Sequence, residues 1–349
     1  MHKPVLGIIG GGQLGSMLAI AAKKIGIKTI IFCDDVNAPA QKYSNEFIYG
    51  KYNDLKKIDL FVEKVDIITF EFENIPYETL NKINEIKPVI PKPSINQIIQ
   101  HRLKEKDFIN KLNIKTTDYI LIKDASKIRS SINLLPGILK TTTLGYDGKG
   151  QYKIVSIDDL KSLSIDFSKE FILEKIVKLK TEISVIITRF AENEFEIYEP
   201  IENLHSEQIL KISKIPASIT KKNFIKSKEW ATKIVEELDY IGTLCVEFFI
   251  DNNDNLYVNE IAPRVHNSGH LTINTHNISQ FENHVRAVCA LEKITIKKLY
   301  NAKMDNLIGN EISIYRKKKF TKNQFFYDYF KKEIKDKRKM GHLTTIFSK

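Results

Sequence analysis

The sequence is poor in cysteine, and its cysteines form no recognisable pattern. Cys33, Cys245 and Cys289 stand far apart, and no CxxC pair occurs among the 349 residues. This spacing argues against a disulfide framework and against a cysteine-based zinc site. The sequence also lacks an apolar run of about 18 residues, which a membrane-spanning helix needs, and its short apolar start does not resemble a secretory signal. We therefore expect a cytoplasmic protein without a membrane segment.

Internal repeats and low-complexity segments are absent as well, and the composition is that of a globular protein. Apolar residues make up 42% of the chain and charged residues 28%, in a length that suits two or three domains. The formal charge of +11 favours negatively charged partners, either nucleic acid or anionic small molecules. Basic residues are dense only at 315–319 and 331–339, without an aromatic RNA-binding signature. This distribution favours an enzyme for anionic substrates, and we expect no nucleic-acid partner.

The start of the chain follows the order strand, glycine turn, helix, strand. Apolar Val5–Ile9 is followed by Gly10, Gly12 and Gly15, then by an amphipathic stretch and a second apolar run. The glycine spacing fits the dinucleotide-binding fingerprint, and Asp34 stands near the position of a ribose-binding acid. The same turn also binds other phosphates or simply packs a helix on a strand, so NAD binding stays one alternative.

The rest of the chain divides into a helical part, a β-rich part and a lysine-rich tail. A proline cluster at 88–93 marks a domain boundary, and the spacing of apolar residues predicts a helix over 96–112. Beyond it short β-branched runs predominate, with a helix predicted at about 221–240. Two further strands are predicted at Thr243–Asp251 and Leu256–Ile261.

A glycine-rich loop lies between two of the predicted strands. Lys140 ends one apolar run and Tyr152 begins the next, and the segment between them contains three glycines and Lys149. Backbone N–H groups of such a loop can approach phosphate oxygens, and the lysines add positive charge. It is not a P-loop, because no Gly-Lys-Ser/Thr opens a helix. The pattern predicts a phosphate-binding loop, with a solvated hairpin as the alternative.

Two glutamates in the predicted hairpin are the strongest chemical signal. The turn sequence Asn252–Asn255 joins the two strands, and a hairpin centred there places Glu247 directly opposite Glu260. Two carboxylates about 5 Å apart repel by roughly 3 kcal/mol at an effective dielectric of about 20. A hard cation relieves the repulsion, so the pair predicts Mg²⁺ bound between carboxylates and nucleotide phosphates. An edge hairpin with both acids in water is the alternative.

Basic and polar residues follow the second strand at once. Arg264, His266, Asn267 and His270 lie within one short loop. Hydrogen-bond donors beside a carboxylate–metal site suit a bound anion. We therefore predict an anion-holding cluster there.

These segments together resemble the ATP-grasp superfamily, and in particular its 5-(carboxyamino)imidazole ribonucleotide synthase family. The matching segments run in the family's order and are Gly12–Gly15, Phe70–Ile75, Gly145–Gln151, Asn259–His270 and Gly341–Leu343. The resemblance implies an α/β protein with the ATP-grasp fold in four parts. They are a Rossmann-like (pre-ATP-grasp) substrate-binding domain over 1–94, a helix and lid over 95–180, a core with the metal hairpin over 181–290, and a shortened α+β C-terminal domain over 291–349.

The same resemblance implies roles for individual residues. Those expected to bind ATP are Arg102, Lys140, Gly145, Tyr146, Asp147, Gly148, Lys149, Gly150, Gln151, Glu174, Lys175, Ile176, Val177, Glu182, His205, Asn259 and Glu260. Those expected to bind the ribonucleotide are Gln13, Leu14, Glu71, Glu73, Lys332, Arg338 and Lys339. Those expected to be catalytic are Arg264, His266, Asn267 and Lys149, while Glu247 and Glu260 are expected to hold Mg²⁺.

The implied reaction joins bicarbonate to the amine of 5-aminoimidazole ribonucleotide during purine biosynthesis. ATP would phosphorylate bicarbonate to carboxyphosphate, leaving ADP and finally phosphate. The resemblance also implies a homodimer whose product passes to a mutase. Three alternatives stay open: another ATP-grasp ligase, such as formate-dependent glycinamide ribonucleotide transformylase, an NAD-dependent oxidoreductase, and a basic nucleic-acid-binding protein.

Overall fold

The N-terminal part of the chain is a parallel sheet with helices on both faces. The computed structural model describes residues 3–143, 150–159 and 165–348. The elements of this part are strands β1 (Val5–Ile9), β2 (Lys28–Cys33), β3 (Glu46–Tyr49) and β4 (Ile67–Phe70), helices α1 (Gln13–Lys24), α2 (Leu55–Glu63) and α3 (Tyr77–Asn84), and a 3-10 turn at Pro39–Lys42. The strand order is β3-β2-β1-β4, with parallel neighbours throughout. Apolar clusters lie on both faces of the sheet, which explains why its strands are continuously apolar. The predicted strand–turn–helix–strand order is confirmed.

Two helices form where the sequence predicts a single helix over 96–112. They are α4 (Pro93–Ile99) and α5 (Arg102–Lys111). The break lies at Gln100 and His101, and His101 is extended, with φ −125° and ψ 104°. The side chain of Gln100 donates to two backbone carbonyls of the loop after β4, and the N–H of Arg102 donates to the carbonyl of Thr142. These tertiary bonds replace intrahelical ones, so the spacing of apolar residues alone missed the break.

The next part is a small antiparallel sheet with the strand order β5-β8-β6-β7. Its elements are β5 (Tyr119–Ile122), β6 (Gly137–Thr141), β7 (Gln151–Ile154), β8 (Phe171–Lys175), helix α6 (Ala125–Arg129) and a 3-10 turn at Ile132–Leu134. Lys140 lies opposite Gln151 in the register of β6 and β7. The glycine-rich segment therefore connects two adjacent strands, as predicted.

The largest sheet runs in the order β14-β13-β9-β11-β12-β15-β17-β16, and β10 pairs with β9 beside this path. Its strands are β9 (Leu179–Ala191), β10 (Glu194–Ile197), β11 (Ile201–Ser206), β12 (Ile209–Ile215), β13 (Gly242–Asp251), β14 (Leu256–Ala262), β15 (Asn301–Ile308), β16 (Gln324–Asp328) and β17 (Lys339–Phe347). The accompanying helices are α7 (Lys221–Glu237), α8 (Thr272–Thr275), α9 (Gln280–Val288), α10 (Glu311–Tyr315) and a 3-10 helix at Asn267–Leu271.

The lysine-rich tail, which has no clear pattern in the sequence, completes this sheet. Strand β15 pairs with β12 and β17 pairs with β15, so the end of the chain extends the sheet that begins with β9. The tail therefore belongs to the same sheet as the predicted metal hairpin.

Among the described residues no helix combines the length and the apolar character that crossing a membrane requires.

Candidate active site

A cleft of about 840 Å³ is lined by the start of α1 and the loop after β4 in the N-terminal part and by residues of the small and large antiparallel sheets. Most of the predicted site residues line it, although they come from both ends of the chain. They are Gln13, Leu14, Glu71, Glu73, Arg102, Lys140, Gln151, Glu182, His205, Glu247, Asn259, Glu260, Arg264, His266, Asn267, Arg338 and Lys339. Other residues that line the cleft were not predicted, and these include Glu105, Thr142, Thr143 and Lys331.

Most of the predicted glycine-rich loop lies outside the described residues, namely Gly145, Tyr146, Asp147, Gly148 and Lys149. Its end is described. Gly150 has φ +69°, which favours glycine, and a Cβ there would lie 2.7 Å from Oγ1 of Thr141. Glycine at this position therefore lets the chain turn back into β7.

The hairpin of β13 and β14 places Glu247 directly opposite Glu260, which confirms the predicted pairing of these two residues, although not the regular register from which it was inferred. The register shifts between Glu247 and Phe248, because Phe248 lies opposite Val258. Asn259 is thus an extra residue and forms a β-bulge. In a regular strand Asn259 and Glu260 would point to opposite faces, whereas here both line the cleft.

The two acids of this hairpin differ in exposure, since Glu247 is buried and Glu260 is partly exposed. Burial and the charge of Glu260 raise the pKa of Glu247. The same two causes raise the pKa of Glu105 on α5 to about 8, although its Oε1 accepts the N–H of Ile261 at 2.6 Å. Nη1 of Arg102 lies 3.5 Å from Oε2 of Glu260. The pKa values of Glu247 and Glu105 are raised because nearby positive charge does not offset their burial and their repulsion by Glu260. A divalent cation bound there would supply the missing positive charge.

Cys245, Glu247 and His266 offer a second ligand set, since one ligand atom of each lies within 4.8 Å of the others. Burial raises the pKa of Cys245 well above its usual range, so its thiol stays protonated. A protonated thiol is a poor metal ligand. The oxygen atoms of Glu247 and Glu260 therefore determine the chemistry, and they favour a hard cation such as Mg²⁺.

Lys140 on β6 and Lys106 on α5 share the buried carboxylate of Glu174. Its Oε2 lies 3.0 Å from Nζ of Lys140 and 3.3 Å from Nζ of Lys106, and Thr117 donates to it at 3.2 Å. Burial alone would raise the pKa of Glu174, but the two lysines lower it to about 2. Glu174 does not line the cleft and instead holds Lys140, which does. Sequence reasoning missed Lys106, although it stands one helical turn after Arg102.

The segment after β8 that was predicted to meet adenine is partly occupied by the fold. Lys175, Ile176 and Val177 are not among the residues that line the cleft. Lys175 and Ile176 donate their backbone N–H groups to the carbonyls of Asp118 and Pro136. Because these two N–H groups already have partners, the predicted contact with adenine would have to use the backbone carbonyls of this segment and Val177.

Glu182 on β9 and His205 on β11 line the cleft together. Nδ1 of His205 lies 2.7 Å from Oε2 of Glu182. Burial lowers the pKa of His205, but Glu182 raises it more, and the net shift is upward. The pair can therefore offer both a donor and an acceptor to a ligand.

The glycine turn before α1 is occupied by a carboxylate of the protein itself. Glu71 is buried, its Oε1 accepts the N–H of Gly12 at 2.7 Å and its Oε2 accepts the N–H of Gly15 at 3.1 Å. These N–H groups are the ones that a dinucleotide phosphate would need at this helix N-terminus. The geometry therefore contradicts NAD binding at this turn. The partners of Glu71 are backbone N–H groups of the protein itself.

The loop after β14 separates into residues that face the cleft and residues that do not. Arg264 donates from Nε to Oε2 of Glu73, which links the loop to the first domain. Asn267 accepts a hydrogen bond at Oδ1 from Nδ2 of Asn306 at 2.6 Å. His270, which the sequence placed in the anion-holding cluster, is fully buried and packs against other rings instead of lining the cleft.

The tail supplies cations at the other end of the cleft. Arg338 and Lys339 line it, but Lys332 does not, and Nζ of Lys332 lies 3.3 Å from Oδ1 of Asn37. The neighbouring Lys331 lines the cleft and donates to Oε1 of Gln13 at 2.7 Å. The structure thus brings Lys331, which was not predicted, to the cleft, while the substrate-binding role of Lys332 stays a prediction.

Three family models match successive parts of the chain. A ribonucleotide synthetase preATP-grasp domain matches residues 1–100, an ATP-grasp domain matches residues 107–281, and a phosphoribosylaminoimidazole carboxylase C-terminal domain matches residues 302–349. The N5-carboxyaminoimidazole ribonucleotide synthase of Brucella melitensis is 39% identical over 346 residues, which are 98% of this chain and 96% of the relative. The protein of that name from Bacillus subtilis is 37% identical over 97% of this chain and 90% of its own.

The chain belongs to the N5-carboxyaminoimidazole ribonucleotide synthase family. The Staphylococcus aureus N5-carboxyaminoimidazole synthetase complexed with ADP is 37% identical, with a TM-score of 0.93 over 99% of this chain and 94% of that one. The Aspergillus clavatus enzyme in complex with ADP and 5-aminoimidazole ribonucleotide is 26% identical, with a TM-score of 0.90 over 99% and 94% of the two chains. The predicted family and the α/β ATP-grasp fold with its N-terminal pre-ATP-grasp domain are confirmed, and the chain is an ATP-grasp ligase.

Proposed function

We propose that the chain carboxylates the amine of 5-aminoimidazole ribonucleotide, using ATP and bicarbonate, and releases ADP and phosphate in the pathway to purines. Membership of the family supports the ribonucleotide and the nucleotide as substrates. The observation that carries the proposal is one cleft that joins the opposed acids Glu247 and Glu260 to Arg264, His266 and Asn267. A cation site and a set of anion-binding donors lie side by side there, as a reaction between ATP and bicarbonate requires.

The residues that would hold Mg²⁺ are Glu247 and Glu260, with Asn259 brought to the same side by the bulge. These residues suit Mg²⁺ for two reasons: all of them offer oxygen ligands, and the raised pKa of Glu247 indicates negative charge that lacks a cation. Bound there, the ion supplies neutralisation of charge on the transferring phosphoryl group. Lys140, held by Glu174, and Arg102 at Glu260 lie on the same wall and would position the phosphates.

In the first step an oxygen of bicarbonate would attack the γ-phosphorus of ATP, and the bond to the β-phosphate oxygen would break. The products of this step are carboxyphosphate and ADP. Arg264 and the amide of Asn267 would hold the bicarbonate oxygens in line for the attack. Oδ1 of Asn267 accepts from Nδ2 of Asn306, and this bond fixes the orientation of the Asn267 amide.

In the second step the exocyclic amine of the ribonucleotide would attack the carbon of carboxyphosphate or of CO₂ released from it. The C–N bond forms, phosphate leaves, and the amine loses a proton. The ribonucleotide would lie between the first domain and the tail, near Gln13, Leu14, Lys331, Arg338 and Lys339. The 5′-phosphate suits these basic residues, because Lys331, Arg338 and Lys339 line one cleft together with Gln13 and Leu14.

The proposal extends to the protein's surroundings. A homodimer, a cytoplasmic location and transfer of the product to a mutase are expected from the family, and the chemistry of the product supports the last of these. An N-carboxylated amine is a carbamate, which returns to amine and CO₂ unless a further enzyme moves the carboxyl group. No nucleic-acid partner is part of the proposal.

The experiment is an assay of phosphate release from Mg-ATP with the full chain. Release should depend on 5-aminoimidazole ribonucleotide, and ¹³C from labelled bicarbonate should appear in the carbamate of the product. The matched control replaces the two substrates with formate and glycinamide ribonucleotide, for which no turnover is expected. Turnover with the control pair, or phosphate release without ¹³C incorporation into the ribonucleotide, would contradict the proposal.

A further inference from the structure

A row of buried polar side chains leads from the middle of the large sheet to His266. Oγ of Ser213 donates to Oδ1 of Asn203 at 2.8 Å, and Nδ2 of Asn203 donates to Oγ of Ser184 at 2.9 Å. Oγ of Ser184 lies 2.7 Å from Oγ of Ser268, which lies 2.8 Å from Nδ1 of His266. The two serines and Ser213 are fully buried, and Asn203 is 6% exposed. Burying polar groups costs free energy unless each is hydrogen-bonded, and here each side chain bonds to the next. A continuous buried chain of this kind that ends at a cleft residue suggests that it positions that residue.

The direction of the hydrogen bonds is fixed by a backbone group at the end of the row. The N–H of Ser268 approaches Nδ1 of His266 at 3.4 Å, and a backbone N–H can only donate. Nδ1 therefore carries no proton, and the hydroxyl of Ser268 donates to it as well. Oγ of Ser268 must then accept from Ser184, and Ser184 must accept from an N–H of Asn203. The amide of Asn203 has this orientation.

We propose that Ser268, Ser184 and Asn203 are positioning residues that hold His266 in the neutral form with its proton on Nε2. This assignment rests on the proposed function, in which His266 lies beside the reacting anion. Nε2 faces the cleft and lies 3.2 Å from Oε1 of Glu247. His266 is then a hydrogen-bond donor, to Glu247 in the free protein and to an oxygen of carboxyphosphate during the reaction.

The opposite tautomer would give the cleft a different chemistry. With the proton on Nδ1, a lone pair on Nε2 would face the carboxylate of Glu247, and His266 could become a metal ligand together with it. The same geometry excludes the doubly protonated ring, because that ring would carry a proton on Nδ1, where the N–H of Ser268 donates. The backbone N–H of Ser268 and the row of side chains behind its hydroxyl thus decide whether His266 is a hydrogen-bond donor or a metal ligand.

Substitution of the serines tests the assignment through catalysis. Ser268→Ala should lower kcat about 10- to 100-fold, which is the usual effect of removing a group that orients a functional histidine, while the KM for ATP stays within about twofold. Ser184→Ala should have the same signature with a smaller loss, because Ser268 keeps its own bond to Nδ1. Ser268→Thr keeps the hydroxyl and should retain most of the activity.

A buried hydroxyl on the same strand provides the matched control. Thr188 on β9 is fully buried, and its Oγ1 lies 2.7 Å from Oγ1 of Thr243. Thr188→Val removes a hydroxyl of equal burial that does not belong to the row, and kcat should change less than twofold. An equal loss of kcat in Thr188→Val and Ser184→Ala would overturn the proposal. It would mean that Ser184 contributes only as a buried, packed side chain and not through its hydrogen bond to Ser268.

A spectroscopic test reads the proton directly and does not depend on turnover. In full-length protein labelled with ¹⁵N-histidine, solid-state NMR should show His266 with an unprotonated Nδ1 and a protonated Nε2, and His266→Asn identifies the signal. Ser268→Ala removes one of the two donors to Nδ1, so the signal of the unprotonated Nδ1 should shift, while the remaining backbone N–H of residue 268 keeps the proton on Nε2. A protonated Nδ1 in the unsubstituted protein would overturn the proposal. The predicted tautomer in a protein that fails the carboxylation assay would instead reject the proposed function and leave the hydrogen-bond assignment standing.

Discussion

Two pairs of acidic residues face the same cleft, and the protein neutralises them in different ways. In the first pair, Glu71 accepts backbone N–H groups of the glycine turn, and Glu73 is paired with Arg264. In the second pair, Glu247 and Glu260 lie opposite each other across a hairpin, and burial together with Glu260 raises the pKa of Glu247. The first pair is thus matched by donors of the protein, although burial raises the pKa of Glu71 too. The second pair is approached by His266 and Arg102 as well as by its own two charges, and we propose that Mg²⁺ completes its partners.

From this difference we propose that the first pair is mainly structural and that the second pair binds a cation. Both pairs come from segments that resemble the same family, and both were assigned to ligands from the sequence. The partners of each oxygen support the proposal, because Glu71 already accepts two N–H groups and keeps fewer acceptor positions for a substrate. The comparison predicts that the two pairs will respond to substitution in opposite ways.

The largest effect is expected at the second pair. Glu260→Gln should lower kcat about 10³-fold, since it removes one charged oxygen ligand and about 4 kcal/mol of transition-state stabilisation with it. The free energy of unfolding without Mg²⁺ should stay the same or rise, because the repulsion between the two acids disappears. Steady-state assays and urea unfolding measure the two quantities. Asp254→Asn, at the exposed turn of the same hairpin, is the control, and near-normal activity of Glu260→Gln would reject the metal assignment.

The first pair should show the reverse, with a loss of stability. Glu71→Gln presents an amide NH₂ to one of two backbone donors, so we expect a loss of about 1–3 kcal/mol in the free energy of unfolding. Chemical denaturation measures it, with the exposed Glu63→Gln as control, for which a change below about 0.5 kcal/mol is expected. An unchanged midpoint for Glu71→Gln would mean that its two hydrogen bonds do not stabilise the turn.

A smaller effect on substrate affinity should distinguish two adjacent lysines of the tail. Lys331→Met removes the contact with Gln13 on the substrate side of the cleft and should raise the KM for the ribonucleotide about tenfold, which is about 1.4 kcal/mol. Lys332→Met should change that KM less than twofold, because Lys332 does not line the cleft. A larger rise in KM for Lys332→Met than for Lys331→Met would instead support Lys332, the lysine that the sequence suggested, as the substrate-binding residue.

The smallest effect is a change in pH dependence at Glu105. Its pKa in the folded protein is raised to about 8 from an ordinary 4.5, so the folded state holds its proton more tightly than the unfolded chain. The stabilising contribution is therefore complete below pH 4.5 and is lost as the pH rises toward 8. Glu105→Gln keeps an acceptor for the N–H of Ile261 and cannot ionise. Urea unfolding of metal-free protein at pH 5.5 and pH 8 should show a smaller difference for Glu105→Gln than for the unsubstituted chain, and equal differences would contradict the shift.

Local signals in the sequence predicted much of the fold and of the site. The turn Asn252–Asn255 indicated the hairpin, but the register beside the turn pairs Ile250 with Leu256 and, continued regularly, would place Glu247 opposite Asn259. The bulge produces the predicted pairing of Glu247 with Glu260. The bulge at Asn259 was not predictable, since it depends on how β14 meets its neighbours. The break after α4 was missed for a similar reason, because side-chain bonds to a distant loop hold it.

Long-range partners account for the remaining differences. The glycine turn fits a dinucleotide fingerprint, but Glu71, far along the chain, occupies it. Lys106 and Lys140 meet on Glu174 only when three separate elements pack together. The loop that orients Lys331 and Lys332 has no periodic pattern, and a shift of one residue there exchanges a cleft residue for a surface residue. Sequence motifs therefore identified the segments of the site more reliably than the individual side chains.

The most direct test of the account is to locate the cation by anomalous diffraction from crystals grown with ADP and Mn²⁺, which replaces Mg²⁺. The account predicts a peak between the carboxylates of Glu247 and Glu260, and no peak at Glu71 or Glu73. A peak at Glu71 and Glu73, or one coordinated by His266 and Cys245 without Glu260, would contradict the distinction between the two acid pairs.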